Sequence, residues 1–171
     1  MSETLKVKVE FRNATSLAGA VTAMGGQVLG QGTHRLYQTS EQGFGFKLPG
    51  WRYPLVSRPD GTLAYDDYHG AWGDVTDLEK LKTRYVIETA RQAAEEKGWY
   101  TEAQDNGSLL IVTPEGGTLT VTPEGVIDAA GFTGSSCAAA TEPIARALGA
   151  TTGEERKAEF DQLKQTVSTT E

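Results

Sequence analysis

The sequence predicts an α+β protein: antiparallel sheet carrying two to three packed helices, with a second, small ββα module toward the C-terminus. Three observations carry that expectation. Leu5, Val7, Val9 and Phe11 alternate with Lys6, Lys8, Glu10 and Arg12, the period of a strand with one buried face. A Thr-x-x-Glu box at Thr76 and Glu79 opens an apolar stripe that stops at Gly98, which marks a helix. Two copies of Thr-Pro-Glu-Gly, at 113–116 and 122–125, cut β-forming runs into hairpins, because proline at the second and glycine at the fourth position suit a type I turn.

Taken in order, the first strand leads into a short helix. Asn13, Thr15 and Ser16 offer caps, Leu17, Ala20, Val21 and Met24 recur at helical spacing, and Gly25-Gly26 supplies the stop. From Gln27 to Tyr65, β-formers and glycines alternate with turn residues such as Ser57 to Gly61, which predicts an antiparallel meander. In the long helix Leu78, Leu81, Tyr85, Ala90 and Ala93 form the inner stripe, and Glu88, Arg91, Glu95 and Lys97 the outer face. A second meander follows over Trp99–Ala103, Leu109–Val112, Thr118–Val121 and Val126–Ala129. After it an alanine-rich helix runs to Leu148-Gly149. Pro143 lies inside this helix, where it predicts a kink or a later start at Thr141. Domain boundaries are expected at 112/113 and 150/151, leaving a charged tail over 151–171 with one thin stripe, Phe160, Leu163 and Val167, partly helical or disordered.

Composition removes several function classes. With 171 residues the chain can bury a core without staples, and its single cysteine, Cys137, permits neither an internal disulfide nor paired-cysteine zinc sites. A formal charge of −7 with mixed signs argues against a surface that tracks nucleic-acid phosphates. No apolar run reaches the roughly 20 residues of a membrane span, and the opening MSETLKVKVEF does not read as a signal peptide. A cytoplasmic location is expected.

Gly70 to Trp99, with aromatic residues before a helix containing Arg84-Tyr85 and a second alanine-rich half, resembles a family of unknown function typified by hypothetical reading frames of plastid and cyanobacterial genomes. The resemblance extends over about residues 5–112. Gly117 to Gly149, with strand, turn, strand and then Gly131-Phe132-Thr133-Gly134-Ser135-Ser136-Cys137 leading into a helix, is similar to a second, smaller uncharacterised family. Together the resemblances imply a fusion of two modules often encoded side by side, near an ATPase of the AAA+ class and a ferredoxin-like protein. They imply no established activity.

Two segments stand out as candidate sites. In the segment 131–137, glycines free the backbone, Ser135 or Ser136 can cap a helix, and the N-terminal end of that helix attracts an anion, so Gly131, Thr133, Gly134, Ser135, Ser136 and Cys137 are candidate ligand-binding residues. The same field would activate Cys137 as a thiolate, with His34 or His69, distant in sequence, as the bases that the fold would have to bring near. A tight strand-to-helix turn packed by Phe132, with cysteine as a small buried hydrophobe, is the competing expectation. It is not a Walker loop, since no Gly-Lys-Ser/Thr follows.

The second segment, Tyr65 to Asp74, offers Asp66, Asp67, His69 and Asp74 as metal ligands. Adjacent side chains on an extended chain point to opposite faces, however, which predicts instead a loop that plugs Tyr68 and Trp72 into the core. Serine, histidine and aspartate are scattered without a nucleophile elbow. The expectation is therefore a non-enzymatic binding or accessory protein without a cofactor, and the resemblances imply an adaptor of an AAA+ ATPase-containing assembly. The alternatives are a nucleotide-like anion bound at 131–137 and thiol chemistry at Cys137.

Overall fold

A computed structural model describes residues 3–133 and 136–151. The candidates Gly134 and Ser135, and the tail from 152 onward, lie outside the described residues. In chain order the elements are β1 (Glu3–Val9), α1 (Ala14–Ala23), β2 (Gln27–Arg35), β3 (Ser40–Lys47), β4 (Leu55–Ser57), β5 (Leu63–Ala64), α2 (Thr76–Glu96), β6 (Tyr100–Ala103), β7 (Leu109–Val112), β8 (Thr118–Val121), β9 (Val126–Ala130), α3 (Ser136–Leu148) and β10 (Gly149–Thr151). The α+β expectation holds. These elements fall into two compact units, Glu10–Glu88 on one hand and Met1–Val9 with Thr89–Glu171 on the other, so the boundary passes inside α2. That partition differs from a division at 112/113, because β7 and β8 are hydrogen-bonded neighbours in one sheet.

In the unit formed by residues 1–9 and 89–171, six strands lie in the order β10-β1-β9-β8-β7-β6, each pair antiparallel. Register aligns one apolar face across the strands: Leu109 opposes Val121, Ile111 opposes Leu119, and Val121 and Leu5 both oppose Ile127. All of these are buried. The hairpins are closed by local chemistry, with the Gly116 amide donating to the Thr113 carbonyl at 2.9 Å and the Gly125 amide to the Thr122 carbonyl at 3.0 Å. Each of those glycines is left-handed, at φ 93° and 96°, which extends the expected type I turn by a bulge residue that favours glycine.

Helix α3 lies against β1 and β9 and buries Cys137, Ala140, Thr141, Ile144, Ala145 and Leu148, a stripe at helical spacing. It begins at Ser136 and continues through Pro143 rather than starting at Thr141. The carbonyl that Pro143 leaves without its helical donor belongs to Ala139, an exposed residue, so water can replace the lost bond.

In the unit of residues 10–88, β2-β3-β4-β5 form an antiparallel sheet with an irregularity between Val28 and Gly30. Leu17 and Val21 of α1, Phe46, Leu48 and Leu55 of the sheet region, and Leu81, Tyr85 and Val86 of α2 are buried. Asn13 is the N-cap of α1, its side chain accepting the Ser16 amide at 3.0 Å, while Ser16 itself is buried in the helix. Tyr85 fixes the segment before that helix: its hydroxyl donates to the Glu10 carbonyl at 2.9 Å and accepts the amides of Arg12 and Asn13 at 3.1 Å each. The start of α2 departs from the expected capping box. Thr76 is the first helical residue, and the Asp74 carboxylate accepts its amide at 3.0 Å.

Candidate functional site

Consider first the corner between β9 and α3. Gly131 is exposed and left-handed at φ 81°, which turns the chain out of the strand. Phe132 then drops inward and is buried, with its ring so close to Gly117 that a Cβ there would lie 2.3 Å from it. Thr133 is exposed, and its carbonyl accepts both the Ser136 amide at 3.2 Å and the Ser136 hydroxyl at 2.6 Å. Ser136 thus closes a local turn. Cys137 faces inward and is 0% exposed. Its thiol therefore meets an external reagent only after local opening. Both histidines belong to the 10–88 unit and Cys137 to the other.

The 65–74 segment is organised by its carboxylates and carbonyls. The Asp66 side chain accepts the Tyr37 amide at 3.2 Å, and the Asp67 carbonyl accepts the amides of Gly70 and Trp72 at 2.9 Å each. Asp74 accepts the Thr76 amide, and this bond, followed by that to the Thr76 hydroxyl, holds its carboxyl below the ordinary aspartate value. Asp66, His69 and Asp74 are not brought together: among the described residues no group of three histidine, cysteine, aspartate or glutamate side chains could hold a metal ion.

The aromatics of this region need a correction. The buried indole is Trp51, 4% exposed, whose Nε1 donates to Asp77 at 3.0 Å. Trp72 is half-buried, and Tyr68, expected in the core, is 60% exposed. The reason is the Asp67–Trp72 turn, in which Tyr68 and His69 both adopt left-handed backbone, φ 45° and 55°, and carry their side chains outward. Tyr68 then stacks on Trp72, centroids 4.6 Å apart and planes at 21°. Tyr37 and Tyr53 meet Trp72 at 4.7 and 5.2 Å and each other at 5.9 Å. The Arg52 guanidinium carbon lies 5.8 Å from the Tyr53 ring and 5.7 Å from that of Trp72.

Four rings and one guanidinium thus meet at a surface where Tyr37 is 47% exposed and Tyr65, which packs edge-on against Trp51, is also exposed. Reading the sequence missed Tyr37, Arg52 and Tyr53 as members of this group. The available signal was density: Trp51, Tyr53, Tyr65, Tyr68 and Trp72 fall within 22 residues.

Residues 118–161 are similar to a family described as "Protein of unknown function (DUF2997)", which spans β8, β9, the 131–137 corner and α3. No curated protein and no solved structure matches the chain. Among the described residues no helix is long and apolar enough to cross a membrane.

Proposed function

We propose that this protein is a non-enzymatic binding protein that engages a protein partner through the aromatic surface around Trp72, as an accessory subunit of a larger assembly. The observation that supports this reading is the exposed stack of Tyr68 on Trp72, carried on two consecutive non-glycine residues in left-handed backbone. Such backbone costs about 1–2 kcal/mol per residue. A core-packing role would offset that cost by burial, yet Tyr68 remains 60% exposed. Tyrosine, tryptophan and arginine are also the side chains that concentrate binding energy at protein interfaces, because they offer large rigid area with a polar edge.

For the partner, the two resemblances, over residues 5–112 and 117–149, suggest an ATPase of the AAA+ class, to which this chain would be an adaptor. Ligand binding and thiol chemistry at 131–137 draw less support, since Phe132 and Cys137 are spent on packing and Ser136 on the turn. The test is affinity purification of the tagged full chain from native extract, beside Tyr68→Gly and Tyr37→Ser variants of unchanged thermal stability. An AAA+ ATPase retained by the parent and lost from both variants is the expected result. Equal retention by all three removes the aromatic surface from the reading, and an eluate without any ATPase removes the adaptor role.

A further inference from the structure

Resting on the proposed binding surface, we infer that its partner presents an arginine-bearing basic segment, whose guanidinium groups stack on Tyr68 and Tyr37 beside Asp66 and Asp67. Three features of the surface point to that chemistry. First, the molecule already shows what these rings accept, since Arg52 lies over Tyr53 and Trp72 at 5.8 and 5.7 Å. A planar guanidinium is attracted to the negative face of an aromatic ring and, unlike an ammonium, stacks on it. Second, the Tyr68–Trp72 stack covers one face of Tyr68, and a ring 60% exposed still offers area to a second planar group.

Third, the charges suit a cation. The turn that carries Tyr68 contributes Asp66, Asp67 and, two residues after Trp72, Asp74. Against these three carboxylates stand Arg52, already on the rings, Arg35, two residues before Tyr37, and Lys80, whose charge acts on Asp74. Asp66 and Asp74 are engaged by main-chain amides, and amide donors stabilise a carboxylate without cancelling its charge. With Lys80 answering Asp74, Asp66 and Asp67 are the carboxylates left beside the exposed rings, and the acidic chain as a whole, at −7, steers a basic segment toward them.

The experiment is fluorescence anisotropy of three labelled octapeptides, alternating glycine with arginine, lysine or norleucine, against the full chain and its Tyr68→Gly, Tyr37→Ser and Asp67→Asn variants. The arginine peptide should bind at least fivefold tighter than the lysine peptide, and the norleucine peptide should not bind measurably. Tyr68→Gly should erase the preference of arginine over lysine. Asp67→Asn should weaken both basic peptides by a similar two- to fivefold, more at low salt than at high. Arginine and lysine peptides of equal affinity, or an arginine preference that survives both tyrosine variants, would overturn the inference. Urea titration of each variant separates loss of binding from loss of folding. If native partner capture depends on Tyr68 while the arginine preference is absent, the inference fails and the protein-binding reading stands. If the peptide preference depends on Tyr68 while the extract yields no partner, the reverse holds.

Discussion

At the level of single residues, Tyr85 and Cys137 show how burial assigns a role that residue type leaves open. Tyr85 is 0% exposed, yet its hydroxyl makes three hydrogen bonds with the backbone of residues 10–13. Replacing it by phenylalanine keeps the ring against Phe11, 4.8 Å away, and removes all three of these bonds. Tyr85→Phe should therefore cost about 1 kcal/mol or more in urea denaturation, the net contribution of hydrogen bonds to part-buried backbone. Cys137 carries the opposite lesson. An inward-facing thiol on α3 should resist iodoacetamide in the native protein and react once urea opens the fold, whereas rapid native labelling would contradict its burial. The strained turn makes the third residue-scale case. His69→Gly removes a Cβ from φ 55° and should stabilise the protein by about 1 kcal/mol by thermal or urea melting, even though a contact between the His69 and Tyr68 rings is lost.

The secondary-structure elements were legible where their signals are local. The expected strands of the second meander match β6 to β9 to within one residue at either end, because each is bounded by a turn whose proline, asparagine or glycine sets its own geometry. Stripes at helical spacing likewise located α1 and α2. Non-local pairing left less trace. Nothing in Gly149-Ala150-Thr151 marks a strand, yet these three residues pair with Val7–Val9, and β1 lies between β10 and β9, the last strands among the described residues. The candidate site was hidden for a related reason: two tryptophans flank the 52–71 stretch, and only the fold decides that Trp51 is buried while Trp72 becomes a surface platform. Pro143 tests the account of α3. Restoring an amide opposite the exposed Ala139 carbonyl with Pro143→Ala should raise stability by about 2 kcal/mol, somewhat less than the full helix-interior penalty because proline also restricts the unfolded chain. A denaturation midpoint lowered by this substitution would mean that the ring fills space on α3 that alanine leaves empty.

At the scale of the whole molecule, acid is a condition that acts on the 10–88 unit. Glu41, Asp60 and Asp74 all lie in the 10–88 unit, and each has its carboxyl held below the ordinary value: Glu41 by hydrogen bonds from Arg58, Asp60 by the hydroxyl and then the amide of Thr62, and Asp74 by the amide and then the hydroxyl of Thr76. A carboxylate with a lowered folded pKa binds fewer protons than it does in the unfolded chain. Its stabilisation is present in full above the ordinary values of 4.5 for glutamate and 3.8 for aspartate, and is lost as the pH falls through the lower folded values. Asp60 and Asp74 are exposed and Glu41 is partly so, with its side chain 25% exposed, so salt screens the ionic share of the effect at Glu41 and leaves the amide-held shares at Asp60 and Asp74. Urea midpoints of the 10–88 unit, followed through amide exchange of α1 and β3, should therefore hold steady from pH 7 to about pH 5 and fall below about pH 4. Asp74→Asn removes one titrating group and should lower the midpoint at pH 7 while making the acid limb shallower, so that parent and variant converge toward pH 3. Parallel pH profiles for the two proteins would show that the Asp74 contact with the start of α2 does not contribute to the acid sensitivity.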